Sequence, residues 1–206
     1  MKMKKIVFAT GNAGKIKEIQ AILADLGLEV VSMKQAGISV DIEENGSSYE
    51  ENALIKSRAV AECLKNMGQL EDTVVMADDS GLEIDYLNKE PGIYSARYLG
   101  EDTSYQIKNA NLISRLEGVE DALRTARFVC AIAAVLPDGQ ELTCRGVIEG
   151  RIGYEEKGSN GFGYDPIFYV PEFGCTTAEL SEEQKNQVSH RGSALRQMKQ
   201  QLEKVI

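Results

Sequence analysis

A mixed-sheet α/β protein is the fold class this sequence predicts, on three observations. Strand-period and helix-period segments interleave along its 206 residues. One clear hairpin, residues 128–136 and 141–148 around Pro137-Asp138-Gly139, breaks the strict alternation of an all-parallel sheet. No linker, repeat or low-complexity tract divides the chain, so one domain over residues 1–206 is expected.

Each element has its own warrant. Ile6-Val7-Phe8-Ala9 is a short apolar run, as in a strand buried on both faces. Thr10-Gly11-Asn12-Ala13-Gly14-Lys15 interrupts it. Ile16, Ile19, Leu23 and Leu26 then form one stripe of an amphipathic helix that stops at Gly27. A strand over residues 29–33 follows, and the polar, acidic stretch 35–49 reads as a loop. Ser48 and Glu51 have capping-box spacing and open a helix that runs to Gly68. Thr73-Val74-Val75-Met76-Ala77 is a strand ending at Asp78-Asp79-Ser80-Gly81. Leu82, Ile84 and Tyr86 then alternate with polar residues, as a half-exposed strand would. Residues 88–100 form a loop bearing Pro and Gly, and 103–117 another capped helix. After the hairpin come a glycine-rich stretch, 158–163, and a C-terminal helix with Leu195, Met198, Leu202 and Val205 on one stripe.

Composition excludes several classes. A hydrophobic fraction of 43% and a charged fraction of 27% are those of an ordinary globular protein, neither disordered nor fibrous. No apolar run approaches the ~18–20 residues of a membrane helix. The basic start Met-Lys-Met-Lys-Lys leads into an apolar stretch too short for a signal peptide, so a cytoplasmic protein is expected. A net charge of −9 disfavours nucleic-acid polymers and anionic membranes as partners, yet leaves room for a small anion in a site lined by a few Lys and Arg. Cys63, Cys130, Cys144 and Cys175 show no C-x-x-C pairing, and His190 is the one histidine, so the cysteines read as buried small hydrophobes rather than zinc ligands.

Five places can carry chemistry, each with a plain structural reading beside it. The loop from Thr10 to Lys15 feeds a helix N-terminus, where free N–H groups and a lysine suit an anion; it is also what a βα turn needing glycine looks like. Its spacing matches neither a Walker A loop nor the dinucleotide fingerprint. Asp78 and Asp79 stand at a strand end, the ligand-facing position of an open α/β sheet, or in a turn with Asx hydrogen bonds. Glu43 and Glu44, ahead of the helix carrying Lys56, suit a hard cation such as Mg²⁺, or a solvated loop. Ser159 to Pro166 offers aromatic rings between glycines, a platform for a flat ring with Asp165 behind it, or a hairpin with core aromatics. His190 and Arg191 can donate to carbonyl oxygens or serve the fold. A Ser-His-Asp hydrolase lacks its G-x-S-x-G elbow here.

Taken in order, Thr10-Gly11-Asn12-Ala13-Gly14-Lys15, Glu50-Glu51-Asn52-Ala53, Ala77-Asp78-Asp79-Ser80-Gly81-Leu82, Pro91-Gly92-Ile93-Tyr94-Ser95-Ala96-Arg97-Tyr98, Gly161-Phe162-Gly163-Tyr164-Asp165-Pro166 and Ser189-His190-Arg191 closely resemble the Ham1/RdgB family of inosine triphosphate pyrophosphatases. The resemblance spans residue 6 to about residue 198. It implies an elongated mixed β-sheet with flanking helices, two lobes around a central cleft, a homodimer, and Mg²⁺-dependent hydrolysis of dITP, ITP and XTP to the monophosphate and pyrophosphate. Carried over by residue, Thr10, Gly11, Asn12, Ala13, Gly14 and Lys15 would hold the triphosphate, with Lys56 and Lys185 adding charge. Asp79 would be the catalytic acid group with Ser80 a substrate contact beside it. Glu44, or Glu43, would join Asp79 at the metal. Phe162, Gly163, Tyr164 and Asp165 would stack on and read the base, with His190 and Arg191 directed at its 6-oxo group.

Two other readings share parts of this pattern. A Maf-like pyrophosphatase would act on pyrimidine or modified nucleotides, and a non-catalytic module would bind nucleotide without turnover. The second is disfavoured because Asp78 and Asp79 would repel phosphates in a pure binder.

Overall fold

Strands β1 (Lys5–Phe8), β2 (Glu29–Ser32), β3 (Thr73–Ile84), β4 (Thr125–Val135), β5 (Glu141–Ile152), β6 (Phe168–Val170) and β7 (Cys175–Thr176) form one sheet in a computed structural model that describes residues 3–11 and 13–205. The strand order is β2-β1-β3-β4-β5-β6-β7. β1 pairs parallel with β2 and β3, whereas β5–β6 and β6–β7 are antiparallel, so the sheet is mixed. The helices are α1 (Ala13–Leu23), α2 (Tyr49–Asn66), α3 (Tyr105–Arg115), α4 (Glu182–Val188) and α5 (His190–Leu202). None of the described helices is long and apolar enough to cross a membrane.

The chain divides into two compact units, and the division falls inside β3, β4 and β5. The first holds residues 1–79, 130–146 and 191–206. Its strands are buried on both sides, as their unbroken apolar runs require. Ile6, Phe8, Val74 and Met76 meet Ile16, Ile19 and Leu23 of α1 and Leu195, Met198 and Leu202 of α5. Val7, Val75 and Ala77 point the other way, toward Val60, Ala61 and Leu64 of α2. The order β2-β1-β3, with α1 on one face and α2 on the other, puts the reversal of winding between β1 and β3, where open α/β sheets bind ligands at the strand ends.

Local signals set the helix limits. α1 ends in a short 3₁₀ turn at Gly27, whose φ of 66° is left-handed. Ser48 caps α2 by accepting the Glu51 N–H. The reciprocal half of the box differs from expectation: the Glu51 carboxylate reaches back to Ser47, taking its N–H and hydroxyl at 2.7 Å each. The largest correction concerns β3. Asp78, Asp79, Ser80 and Gly81 make no turn; the strand runs through them as twelve residues.

The second unit, residues 80–129 and 147–190, packs Leu82 and Ile84 of β3 and Phe128 of β4 against Leu112 and Leu116 of α3, with Ile152, Ile167 and Phe168. Its expected helix over 103–117 is the shorter α3, capped by the Ser104 hydroxyl. Cys130 and Cys144 are core residues, Cys63 and Cys175 only half-buried, and all four are free thiols.

Candidate active site

The pleat of β3 decides what its two adjacent acids do. Side chains of a strand alternate between faces. Met76 points to the α1/α5 side and Ala77 to the α2 side, so Asp78 follows the first row and Asp79 the second. The repulsion expected of neighbouring carboxylates is lessened, and each accepts hydrogen bonds from different side chains.

Asp78 is buried and accepts from Lys15 Nζ at 3.0 and 2.9 Å and from Arg191 Nε at 3.2 Å. Lys15 stands in the first turn of α1 and Arg191 in the first turn of α5. Arg191 also donates through Nη1 to Glu18 at 3.2 Å, one turn along from Lys15. Burial alone would raise the Asp78 pKa, but the charges of Lys15, Arg191 and Lys56 outweigh it and hold the carboxyl far below the carboxylate range. Burial likewise opposes the charge on Arg191, and Asp78 more than restores it.

Asp79 faces α2. Asn52 Nδ2 donates to its Oδ2 at 3.0 Å, and Lys56 Nζ lies 3.7 Å from its Oδ1. The same ammonium donates to Glu44 Oε2 at 2.9 Å. Burial is the largest influence on the Asp79 carboxyl and raises its pKa. Lys56 and Asn52 pull it back, Glu44 and Asp78 push it up, and the balance stays above the ordinary value. For Lys56, burial works against the charge, but Asp78, Asp79 and Glu44 win and its pKa is raised. The outcome is one carboxylate held ionised as a counterion and, at the next residue of the strand, one that holds a proton more readily.

 Asp78 is the counterion, and Asp79 is the group suited to exchanging a proton with a reacting water.

The loop after β1 adds a place for an anion. The Ala9 N–H donates to the Met76 carbonyl at 2.7 Å, which carries the end of β1 along β3 before the chain turns off at Gly11. A Cβ at Gly11 would meet no described atom within 4 Å, and its φ is not left-handed. Among the described residues neither packing nor backbone demands glycine there, and its missing side chain leaves the main chain open to close approach. Ala13, Gly14 and Lys15 form the first turn of α1, where backbone N–H groups favour an anion. Asn12 lies outside the described residues.

Glu44 and Asp79 also fit a hard cation. Both are oxygen donors gathered on one ammonium, close enough for Glu44 to raise the Asp79 pKa, a repulsion that a cation between them would relieve. Among the described residues no three His, Cys, Asp or Glu side chains form a ready metal cluster. Two carboxylates completed by phosphate oxygens are the donor set Mg²⁺ commonly takes. Glu43 is exposed.

The second unit holds the other candidate residues. Gly161 and Gly163 both adopt left-handed φ, 75° and 71°, and a Cβ on Gly161 would run into the Asp165 carboxylate and the Lys185 ammonium. Asp165 is buried. Its Oδ2 accepts from the Phe162 N–H at 2.8 Å and from Lys185 Nζ, and its Oδ1 from the Thr177 hydroxyl at 2.8 Å. The carboxylate that the sequence offers to a ring N–H also holds its own loop. Tyr164 is buried too, donating its hydroxyl to the Ser95 carbonyl at 2.6 Å. Phe162 is 48% exposed, with Lys185 Nζ 5.1 Å from its ring centroid, so it is the more exposed of the two aromatics. His190 stacks on Phe128 with ring centroids 4.9 Å apart. Ser80 is the residue after Asp79 in β3.

Sequence reasoning gave no role to Asn52, Glu18 or Thr177. A signal for Asn52 existed: it sits four residues before Lys56, on the stripe that includes Ala53 and Val60. Glu18 likewise lies one helical turn from Lys15.

These features define a doubly wound α/β protein with an anion-binding first βα loop and an acid pair sorted by the strand beside it. The chain belongs to the Ham1 family, whose model matches residues 6–201. It is 45% identical over 204 residues to a dITP/XTP pyrophosphatase of Clostridium perfringens, covering 99% of this chain and 100% of that one. The solved structure of the Staphylococcus aureus Ham1 protein superposes with a TM-score of 0.85 at 43% identity, over 98% of this chain and 99% of that one. A HAM1 protein from Coxiella burnetii gives 0.86 at 41% identity, over 98% and 100%.

Proposed function

We propose that this chain is a Mg²⁺-dependent nucleoside triphosphate pyrophosphatase that hydrolyses dITP, ITP and XTP to the monophosphate and pyrophosphate, removing aberrant purine nucleotides from the pool. The observation that carries the reading is Asp79, a buried carboxylate of raised pKa held by Asn52 and Lys56, with Glu44 on the same lysine. The family and the name of the Clostridium perfringens relative support it.

In this reading Thr10, Gly11 and Lys15, with the first turn of α1, bind the triphosphate, and Lys56 adds positive charge. Glu44 and Asp79 would hold Mg²⁺, which when bound supplies charge neutralisation on phosphate oxygens. Asp79 orients the attacking water and takes its proton as the oxygen bonds to the α-phosphorus. The bond from that phosphorus to the bridging oxygen breaks, and pyrophosphate departs with the electron pair. Asn52 keeps Asp79 from rotating out of line. Phe162 stacks on the base, and His190 contributes a donor toward its 6-oxo group. Adenine places an amino group there and leaves a donor unpaired, which discriminates strongly. Asp165 and Lys185 keep the loop shaped for that contact. We further read the enzyme as a cytoplasmic homodimer whose two units act as lobes of one domain, on the family resemblance.

The test is pyrophosphate release from ITP, dITP, XTP, dATP, dGTP and dTTP, with Mg²⁺ and with EDTA. Metal-dependent release confined to ITP, dITP and XTP is the expected result. Release from pyrimidine substrates would transfer the enzyme to the Maf-like reading, and binding without release would make it a nucleotide-binding module.

A further inference from the structure

The inner face of α3 carries an anomaly. Leu112 and Leu116 bury apolar side chains there, but one turn earlier the face turns polar at Lys108 and Asn109, each 1% exposed. Asn109 Nδ2 donates to the Gly163 carbonyl at 3.3 Å and to Glu156 at 2.7 Å, and its Oδ1 has no hydrogen-bond partner among the described residues. A buried amide with an orphaned acceptor is unfavourable compared with a leucine that would simply pack. Packing therefore does not account for asparagine at this position; its hydrogen bonds to Gly163 and Glu156 do.

Tyr105 acts on the same loop. Its ring meets Tyr164 edge-on with centroids 5.2 Å apart, and a Cβ on Gly163 would lie 3.5 Å from it. Lys108 steadies that ring, with Nζ 4.9 Å from the Tyr105 centroid and bonded to the Ala96 carbonyl at 2.6 Å. The loop is then fixed at Asp165 by Thr177 and Lys185, at Tyr164 by Ser95, and at Gly163 by α3. Phe162 is the loop residue left with an exposed ring.

We propose that Asn109 and Tyr105 are positioning residues for nucleobase recognition: through Gly163 and Tyr164 they set where Phe162 presents its ring, and so govern affinity for the base without taking part in the chemistry. The proposal rests on the reading of Phe162 as the base-stacking residue.

The experiment measures KM and kcat for ITP, and inhibition by inorganic tripolyphosphate, which has no base, in the full chain carrying Asn109→Leu, Tyr105→Ala or Tyr105→Phe. The expected result for Asn109→Leu and Tyr105→Ala is a rise in KM of about fivefold to tenfold with kcat within about twofold of wild type. Tripolyphosphate inhibition should be unchanged, and Tyr105→Phe, which keeps the ring, should match wild type. An unchanged KM in both variants overturns the proposal, as does a parallel loss of tripolyphosphate affinity, which would mark a general structural role. If Asn109→Leu fails to fold, Tyr105→Ala decides, since Tyr105 is 38% exposed. Wild-type protein that hydrolyses no nucleotide would instead refute the proposed function, a result separate from either outcome here.

Discussion

Asp79 keeps its proton more readily than an ordinary aspartate because burial and two neighbouring acids outweigh Lys56 and Asn52. As the group that deprotonates water, it must be ionised to act, so kcat/KM should fall on the acid side as Asp79 is protonated. Asp79→Asn retains the shape and loses the base; turnover should fall about 10²- to 10⁴-fold while nucleotide affinity by calorimetry is largely kept. Unchanged turnover would remove Asp79 from the mechanism. Asp78 is the opposite case. Its folded pKa is depressed, so its contribution to stability is present above the unfolded value near ~3.9 and is lost as pH falls through the folded value. Asp78→Asn leaves Lys15 and Arg191 without their counterion and should cost about 3–5 kcal/mol at neutral pH. By thermal unfolding, the gap from wild type should narrow below pH ~4, where Asp78 of the unfolded wild-type chain takes up a proton that the folded chain does not bind. A gap independent of pH would show that Asp78 is not the ionised hub described. Arg191, read from the sequence beside His190 as a donor to the base, has Asp78 and Glu18 as partners. That pairing was illegible because Asp78 lies 113 positions away.

At the scale of elements, helix caps and stripes were readable and the course of β3 was not. Ser48 and the Ile16, Ile19, Leu23 stripe act locally, so their pattern is enough. Asp78-Asp79-Ser80-Gly81 has the composition of a turn, since all four residues disfavour strands. It runs extended because cations from α1, α2 and α5 compensate the buried acids, a tertiary contribution that no local window contains. The loop at Gly161 was visible as glycine flanking aromatics, but not which aromatic would be buried: Tyr164 is taken inward by the Ser95 carbonyl. The first turns of α2 carry Asn52, so its cap bears on the site. Ser48→Ala should destabilise by about 1 kcal/mol, lowering Tm by roughly 2–4 °C for a chain of this size, with a fall in kcat as Asn52 loosens. An unaltered Tm would mean that the Ser48 bond to Glu51 does not anchor the helix.

Across the whole molecule, a net charge of −9 coexists with Lys15, Lys56 and Arg191 gathered on Glu18, Glu44, Asp78 and Asp79. The acidic composition discourages polyanions, whereas the place where cations and acids gather is something only the fold could locate. The family pattern was legible over nearly the full length because its blocks fall at strand ends and glycine loops, where local chemistry is most constrained. The central claim is water attack at the α-phosphorus with Asp79 as base. Hydrolysis of ITP in heavy-oxygen water, read by mass spectrometry of the products, tests it most directly. Attack at the α-phosphorus places the label in the nucleoside monophosphate and leaves pyrophosphate unlabelled. Label in pyrophosphate, or in inorganic phosphate released beside a diphosphate, would contradict it.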